Sequence, residues 1–295
     1  MNKNNTCIKD IKRQIFSSVK TIIYPTFKSP KIILTRSACL GQSLLAKRFE
    51  FTNIANDNRA SSYLTINQQK VRVDMFLEWL AGSQRPVIEK VKQHLNPERP
   101  YVLEMLEQQE NLPWLTIKDD FEYLLMDSFS ELTDNKFTNK KEGWSFCCHR
   151  SDMVHNSTEF QDLFFSEGLL SLSSLYDKYL AFFNWFAQQY PDKDIVFFHF
   201  PTCLDSREIY NKRSQEIYRV ISDLSQTRKY LYSISISNKF VFHAPNDNFP
   251  YHFSCKTYID FVNVWLKNEI LQRKKWNKNL FLTYLLINLL SNRKK

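Results

Sequence analysis

Glycine is scarce, with 4 residues in a chain of 295, at positions 41, 82, 143 and 168. No Gly-rich phosphate loop or dinucleotide fingerprint can be built from so few, which argues against ATPases, kinases and Rossmann dehydrogenases. The six cysteines, at 7, 39, 147, 148, 203 and 255, form no Cys-x-x-Cys pair. That pattern is neither a zinc site nor a disulfide framework, and it suits a reducing cytosol. No metal site is expected. The longest apolar stretch, Leu280 to Leu290, is too short to span a bilayer, which takes about 20 residues. The first residues are polar, without the apolar core of a secretory signal, so a cytoplasmic location is expected.

What remains is an ordinary folded composition, 43% hydrophobic and 24% charged. The length fits one large or two small domains. Aromatic residues make up 15% of the chain, and the simplest reading of that surplus is compositional bias. The net charge of +9 is partly terminal: Lys3, Lys9, Lys12, Arg13 and Lys20 lie at one end, and Arg273, Lys274, Lys275, Arg293, Lys294 and Lys295 are among those at the other. No nucleic-acid motif accompanies it, so no nucleic-acid partner is expected.

Short apolar runs alternate with helical periodicities along the middle of the chain. Strands are predicted at 32–34, 61–66, 121–127, 194–201 and 230–237. Helices are predicted at 40–49, 73–80, 87–94, 169–189, 206–224 and 258–274, and 143–150 reads as extended or loop. Strands and helices alternating at this spacing imply an α/β layered fold with a mainly parallel central sheet. The division expected is a basic lead-in over 1–29, an α/β domain over 30–265 and a basic amphipathic helical appendage over 266–295. That appendage combines Leu266, Trp276 and Leu280 to Leu290 with lysines and arginines. Such a helix suits either an anionic membrane surface, as a peripheral attachment, or docking on the domain.

The chemistry centres on Thr35-Arg-Ser-Ala-Cys-Leu-Gly41. A β-branched run stops at Ser37, with Cys39 two residues on and Gly41 four residues on. A strand that turns tightly into a helix can present a hydroxyl or thiol beside free backbone N–H groups. Ser37 is the nucleophile suggested by this spacing. Cys39 is the alternative, because a helix N-terminus lowers a thiol pKa. Late in the chain, His252 follows Asp247 by five residues, which is close enough for the carboxylate to orient the imidazole. Secondary candidates stand at strand ends or just beyond: Asp127, His199 inside an apolar run, and Arg207 after Pro201. His149, Arg150 and Asp152 cluster in what reads as a solvated loop.

The first block resembles that of SGNH/GDSL hydrolases, Gly-Asp-Ser-x-x-x-Gly, with Thr35-Arg36 in place of Gly-Asp. Asp247-Asn-Phe-Pro-Tyr-His252 resembles a lengthened form of the last block, Asp-x-x-His. The region Phe197 to Arg213 and the element Tyr251-His252-Phe253 resemble SGNH-like proteins of bacterial surface-polysaccharide gene clusters. This resemblance implies a three-layer α/β/α fold. It implies an O-acyl transferase or esterase acting on a capsular or other surface polysaccharide or its precursor. Ser37 would attack, His252 would act as base, Asp247 would orient it, and the N–H groups of Ser37 and Gly41 would hold the oxyanion. The family's second-block glycine and third-block asparagine have no counterpart; Ser61-Ser62 and Asp127-Ser128 stand where they would fall. No permanently bound cofactor is implied, and acetyl-CoA is a plausible acyl donor. The alternative is a catalytically altered glycan-binding or capsule-assembly protein of the same fold.

Overall fold

The computed structural model describes residues 31–55, 63–117 and 120–272. The lead-in over 1–29, Ser61-Ser62 and most of the expected C-terminal appendage lie outside the described residues.

Five parallel strands form the central sheet: β1 (Lys31–Arg36), β2 (Tyr63–Asn67), β3 (Tyr123–Asp127), β7 (Asp194–Phe198) and β8 (Leu231–Ile234). Their order is β2-β1-β3-β7-β8 and every pairing is parallel. This is the doubly wound 2-1-3-4-5 arrangement, whose strand order reverses between the first and third strands. The crevice at the carboxyl ends of those two strands is where such sheets hold ligands.

Each central strand is apolar on both sides, because helices cover both faces. Ile33, Leu125, Val196 and Phe198 point to one layer; Leu34, Leu124, Met126, Ile195 and Phe197 point to the other. The first layer is closed by α1 (Cys39–Ala55) and α9 (Cys255–Gln272) through Leu40, Leu44, Phe261 and Trp265. The second is closed by α2 (Val73–Leu80), α7 (Leu175–Gln189) and α8 (Glu208–Thr227) through Phe76, Phe182, Phe183, Phe186 and Ile221. The α/β/α layering expected from the sequence is present.

Between β3 and β7 the chain makes an excursion. It contains α5 (Phe129–Thr133) and a three-stranded antiparallel sheet of β4 (Asp134–Asn139), β5 (Ser145–His149) and β6 (Phe164–Gly168), with α6 (Thr158–Leu163) between the last two. Two further helices precede β3: α3 (Glu89–Lys92), a single turn, and α4 (Val102–Asn111). The small sheet has its own core, with Phe137, Trp144, Phe146, Phe160 and Phe164 packed against Val102 and Leu106.

Three expectations need correction. The predicted helix at 87–94 is one turn, and the predicted helix starting at 169 begins at Leu175, because β6 ends at Gly168 and a 3-10 turn intervenes. The boundary placed at 265/266 falls inside α9, where Trp265 and Leu266 are fully buried and Glu269 pairs with Arg48 of α1. Residues up to 269 therefore belong to the domain.

Candidate functional site

Ser37 follows directly on β1, at the switch point, and α1 starts two residues later. Gly41 makes that turn feasible. A Cβ there would lie 2.5 Å from the Ser37 Cβ, 2.7 Å from Ser37 Oγ and 2.5 Å from Leu125 Cδ2. Only glycine lets the first helical turn pack this closely onto the serine and the neighbouring strand.

The residue before α1 is Ala38, whose side chain cannot cap a helix. Asp127, at the end of β3, supplies the cap instead. Its Oδ2 accepts from the Ala38 N–H at 2.8 Å and the Gly41 N–H at 3.4 Å, and its Oδ1 accepts from the Phe129 N–H at 3.1 Å. Burial pushes this carboxyl up to about 7, outweighing the backbone donors and the nearby Arg36, which favour the anion. The Gly41 N–H, expected as an oxyanion donor, is therefore engaged by Asp127. The Ser37 N–H is engaged as well, by Asn67 Oδ1 at 3.4 Å.

Asn67, at the end of β2, clamps the turn from the other side. Its Oδ1 accepts from Thr35 Oγ1 at 2.7 Å and its Nδ2 donates to the Ser37 carbonyl at 3.3 Å. Gln42 Nε2 donates to Ser37 Oγ at 3.3 Å and to Thr35 Oγ1 at 2.9 Å. Ser37 is only 3% exposed. Neither Asn67 nor Gln42 is singled out by the sequence, since nothing local distinguishes them from other amides.

Arg36, the last residue of β1, points into the protein. It forms a buried ion pair with Glu131, whose Oε1 also accepts from the Val73 N–H at 2.7 Å and whose Oε2 accepts from Tyr179 at 2.9 Å. Arg213 donates to the Glu131 carbonyl at 2.6 Å.

The second half of the candidate site comes from the loop before α9. Asp247 Oδ2 and His252 Nδ1 lie 2.7 Å apart, and the imidazole is 41% exposed. This loop reaches the first turn through Tyr251: the Cys39 thiol donates to the Tyr251 carbonyl at 3.8 Å. The Ser37 hydroxyl and the His252 ring share no hydrogen bond among the described residues; the first meets Gln42 and the second Asp247. The Cys39 thiol is pushed up to about 12 by burial and by Asp127, so the lowered pKa expected of a thiolate nucleophile is not what its surroundings give.

No family model matches the chain, and no curated protein matches it. The solved structures similar to it in outline include the following three. A GDSL-like lipase from Bacteroides ovatus shares 10% identity at a TM-score of 0.39, over 83% of this chain and 54% of that one. An active-site mutant of a family two carbohydrate esterase from Clostridium thermocellum gives 10%, 0.40, 85% and 66%. An acetyl xylan esterase from Butyrivibrio proteoclasticus gives 11%, 0.38, 84% and 66%. The chain spans between 54% and 66% of those structures. Scores this low assign no site and no activity.

The other candidates fall as follows. Arg207 is held by Asp205 in a forked pair, with Nη2 to Oδ2 at 2.7 Å, and stacks on Tyr210. Asp205, which the sequence does not single out, also accepts from the Tyr251 hydroxyl at 2.5 Å and so ties the His252 loop to the segment after β7. His199 is buried; its Nε2 lies 2.8 Å from Ser233 Oγ, and desolvation lowers its pKa to about 3, so it is neutral. His149 and Asp152 cap a 3-10 turn, and Asp152 pairs with Lys70 and Arg99. Among the described residues no group of His, Cys, Asp and Glu could hold a metal, and no helix is long and apolar enough to cross a membrane.

Proposed function

We propose that the chain is a serine-dependent O-acyl esterase or acyltransferase acting on a sugar hydroxyl of a bacterial surface polysaccharide or its precursor. One observation carries the reading. The loop holding the bonded Asp247–His252 pair is fastened, through Tyr251, to the turn that holds Ser37. In this mechanism Ser37 Oγ attacks the acyl carbonyl and forms the acyl-enzyme. His252 Nε2 takes the hydroxyl proton, while Asp247 at Nδ1 fixes the tautomer and steadies the imidazolium. The imidazolium gives that proton to the leaving sugar hydroxyl, or to the leaving thiol when acetyl-CoA is the donor, as its bond to the acyl carbon breaks; the neutral imidazole then activates water or a sugar hydroxyl, which takes the acyl group from Ser37 Oγ. The donor to test first is acetyl-CoA, alongside acetylated sugars.

The oxyanion needs donors that Asp127 now holds. The carbonyl oxygen has to displace that carboxyl from the start of α1, and the hydroxyl has to leave Gln42. That closed turn favours the second reading, a glycan-binding or capsule-assembly protein that keeps the architecture without the reaction. The two are separated by a fluorophosphonate probe with peptide mapping, together with acetyl release from acetylated oligosaccharides. Modification of Ser37, and loss of both signals in Ser37→Ala and His252→Ala, support the enzyme. No modification at Ser37 and unchanged acetyl release in Ser37→Ala sink it.

A further inference from the structure

The carboxyl edge of the sheet carries a second feature, two strands away from the switch point. Beyond β7 and β8 lies a cavity of about 510 Å³, walled by His199 to Cys203, by Asn211, Ser214, Gln215 and Tyr218 of α8, and by Ser235 to Asn238. Its volume falls in the range of small-molecule sites, and the end of an open parallel sheet is where such sites occur.

Its chemistry is distinctive. None of the lining residues is Asp, Glu, Lys or Arg, in a chain with 24% charged residues. The wall consists of hydroxyls, amides, a few apolar groups, one exposed tyrosine and the neutral His199. The side chains of Thr202, Gln215, Ser235, Ser237 and Asn238 make no hydrogen bond to any other described residue, although each carries donors, acceptors or both. Tyr218 lies edge-on to His199 at 4.8 Å and is 47% exposed, so part of its ring remains open. His199 Nδ1 is buried and has no hydrogen-bond partner among the described residues. Buried polar atoms in that state are rare and point to an external partner or a water.

We propose that this cavity binds a neutral, hydroxyl-rich ligand, a carbohydrate unit, with Tyr218 against the apolar face of the ring and the amides and hydroxyls bonding its edge. The absence of charge selects against phosphorylated and uronic sugars, whose anions would find no counter-ion in the wall. The adjoining wall touches the candidate site. The Phe200 ring packs on Tyr251 at 5.5 Å, next to His252. A glycan seated here lies along the edge that carries Ser37. The binding site does not depend on Ser37 being a nucleophile.

Saturation-transfer NMR and calorimetry with the full chain test this, using maltohexaose, cellohexaose and hexa-N-acetylchitohexaose as neutral probes. Oligogalacturonate serves as an anionic probe and adenosine as a planar one. The expected result is binding of at least one neutral hexamer at up to about 10 mM, with a shift of the His199 ring nitrogens. Tyr218→Ala and the cavity-filling Ser237→Trp, both at exposed positions, weaken that binding at least about tenfold while their circular dichroism stays native. Ser37→Ala binds like wild type, so failure of the acyl-transfer reading and failure of this one are told apart. The site is overturned if no neutral hexamer binds, if only oligogalacturonate or adenosine does, or if both cavity variants bind as tightly as wild type.

Discussion

One edge of one sheet carries two dissimilar regions. At the β1/β3 switch point nearly every polar group around Ser37 is already paired: Asp127 caps α1, Asn67 clamps the turn and Gln42 holds the hydroxyl. At the β7/β8 end five polar side chains of the cavity wall, those of Thr202, Gln215, Ser235, Ser237 and Asn238, make no hydrogen bond to another described residue. The first region is buried, charged and closed; the second is neutral, polar and open. Self-satisfied polar groups specify a conformation, whereas polar groups held on a rigid edge without partners are available to a ligand. A reaction at Ser37 therefore requires the closed region to exchange its own hydrogen bonds for those of a substrate.

The comparison breaks most visibly behind the closed region. Glu131→Ala removes the partner of the buried Arg36 and leaves Tyr179 and the Val73 N–H without their acceptor. A loss of about 3–5 kcal/mol is expected in urea unfolding, because an uncompensated charge stays buried. A loss under about 1 kcal/mol would mean that the network does not support the turn.

Gly41→Ala comes next. Its Cβ would fall 2.5 Å from Leu125 Cδ2 and from the Ser37 Cβ. A cost of about 1–3 kcal/mol is expected, together with lower reactivity of Ser37 toward a fluorophosphonate. Unchanged stability and labelling would show that α1 is free to shift.

The pH dependence tests Asp127 directly. Its carboxyl titrates at about 7 when folded and at about 3.9 in an unfolded chain. Between those values the folded state keeps a proton that the unfolded state has released. Its contribution is therefore complete below about pH 4, falls as pH rises and levels off above about 7. Melting temperatures of wild type and Asp127→Asn, measured from pH 4 to 8, should diverge across that window, with the wild type losing more. Parallel curves would place the Asp127 carboxyl elsewhere in its titration.

The smallest effect is expected at the open end. Tyr218→Ala removes a side chain that is 47% exposed, and a stability change within about 0.5 kcal/mol follows from that exposure. A much larger loss would make the tyrosine part of the core rather than a wall of the cavity.

The central sheet was readable because both its faces are buried. Ile195 to Phe198 reads as a continuous apolar run, and the helices flanking it show one apolar stripe each. The small antiparallel sheet was readable only at 143–150, read as extended or loop, where β5 lies. Its middle strand, Asp-Asn-Lys-Phe-Thr-Asn, has the composition of a loop. Its polar side chains are satisfied at long range: Asp134 faces Lys70, and Lys136 bonds Glu78. No local pattern records such partners, and α4, which backs that sheet, carries no predicted element for a similar reason.

By itself the sequence determined what depends on near neighbours. The apolar alternation makes the strands, the spacing of Ser37 and Gly41 allows the close turn, and five residues separate Asp247 from His252. Tertiary structure decided the rest. Asp127 reaches Ala38 from 89 residues away, Cys39 meets the Tyr251 carbonyl across 212, and Asp205 holds the Tyr251 hydroxyl across 46. Whether a helix N-terminus is open or capped, and whether a hydroxyl faces a partner or a cavity, depends on which distant side chain packing brings alongside. Hydrogen bonds act over about 3 Å in space and carry no trace of the length of chain between their ends.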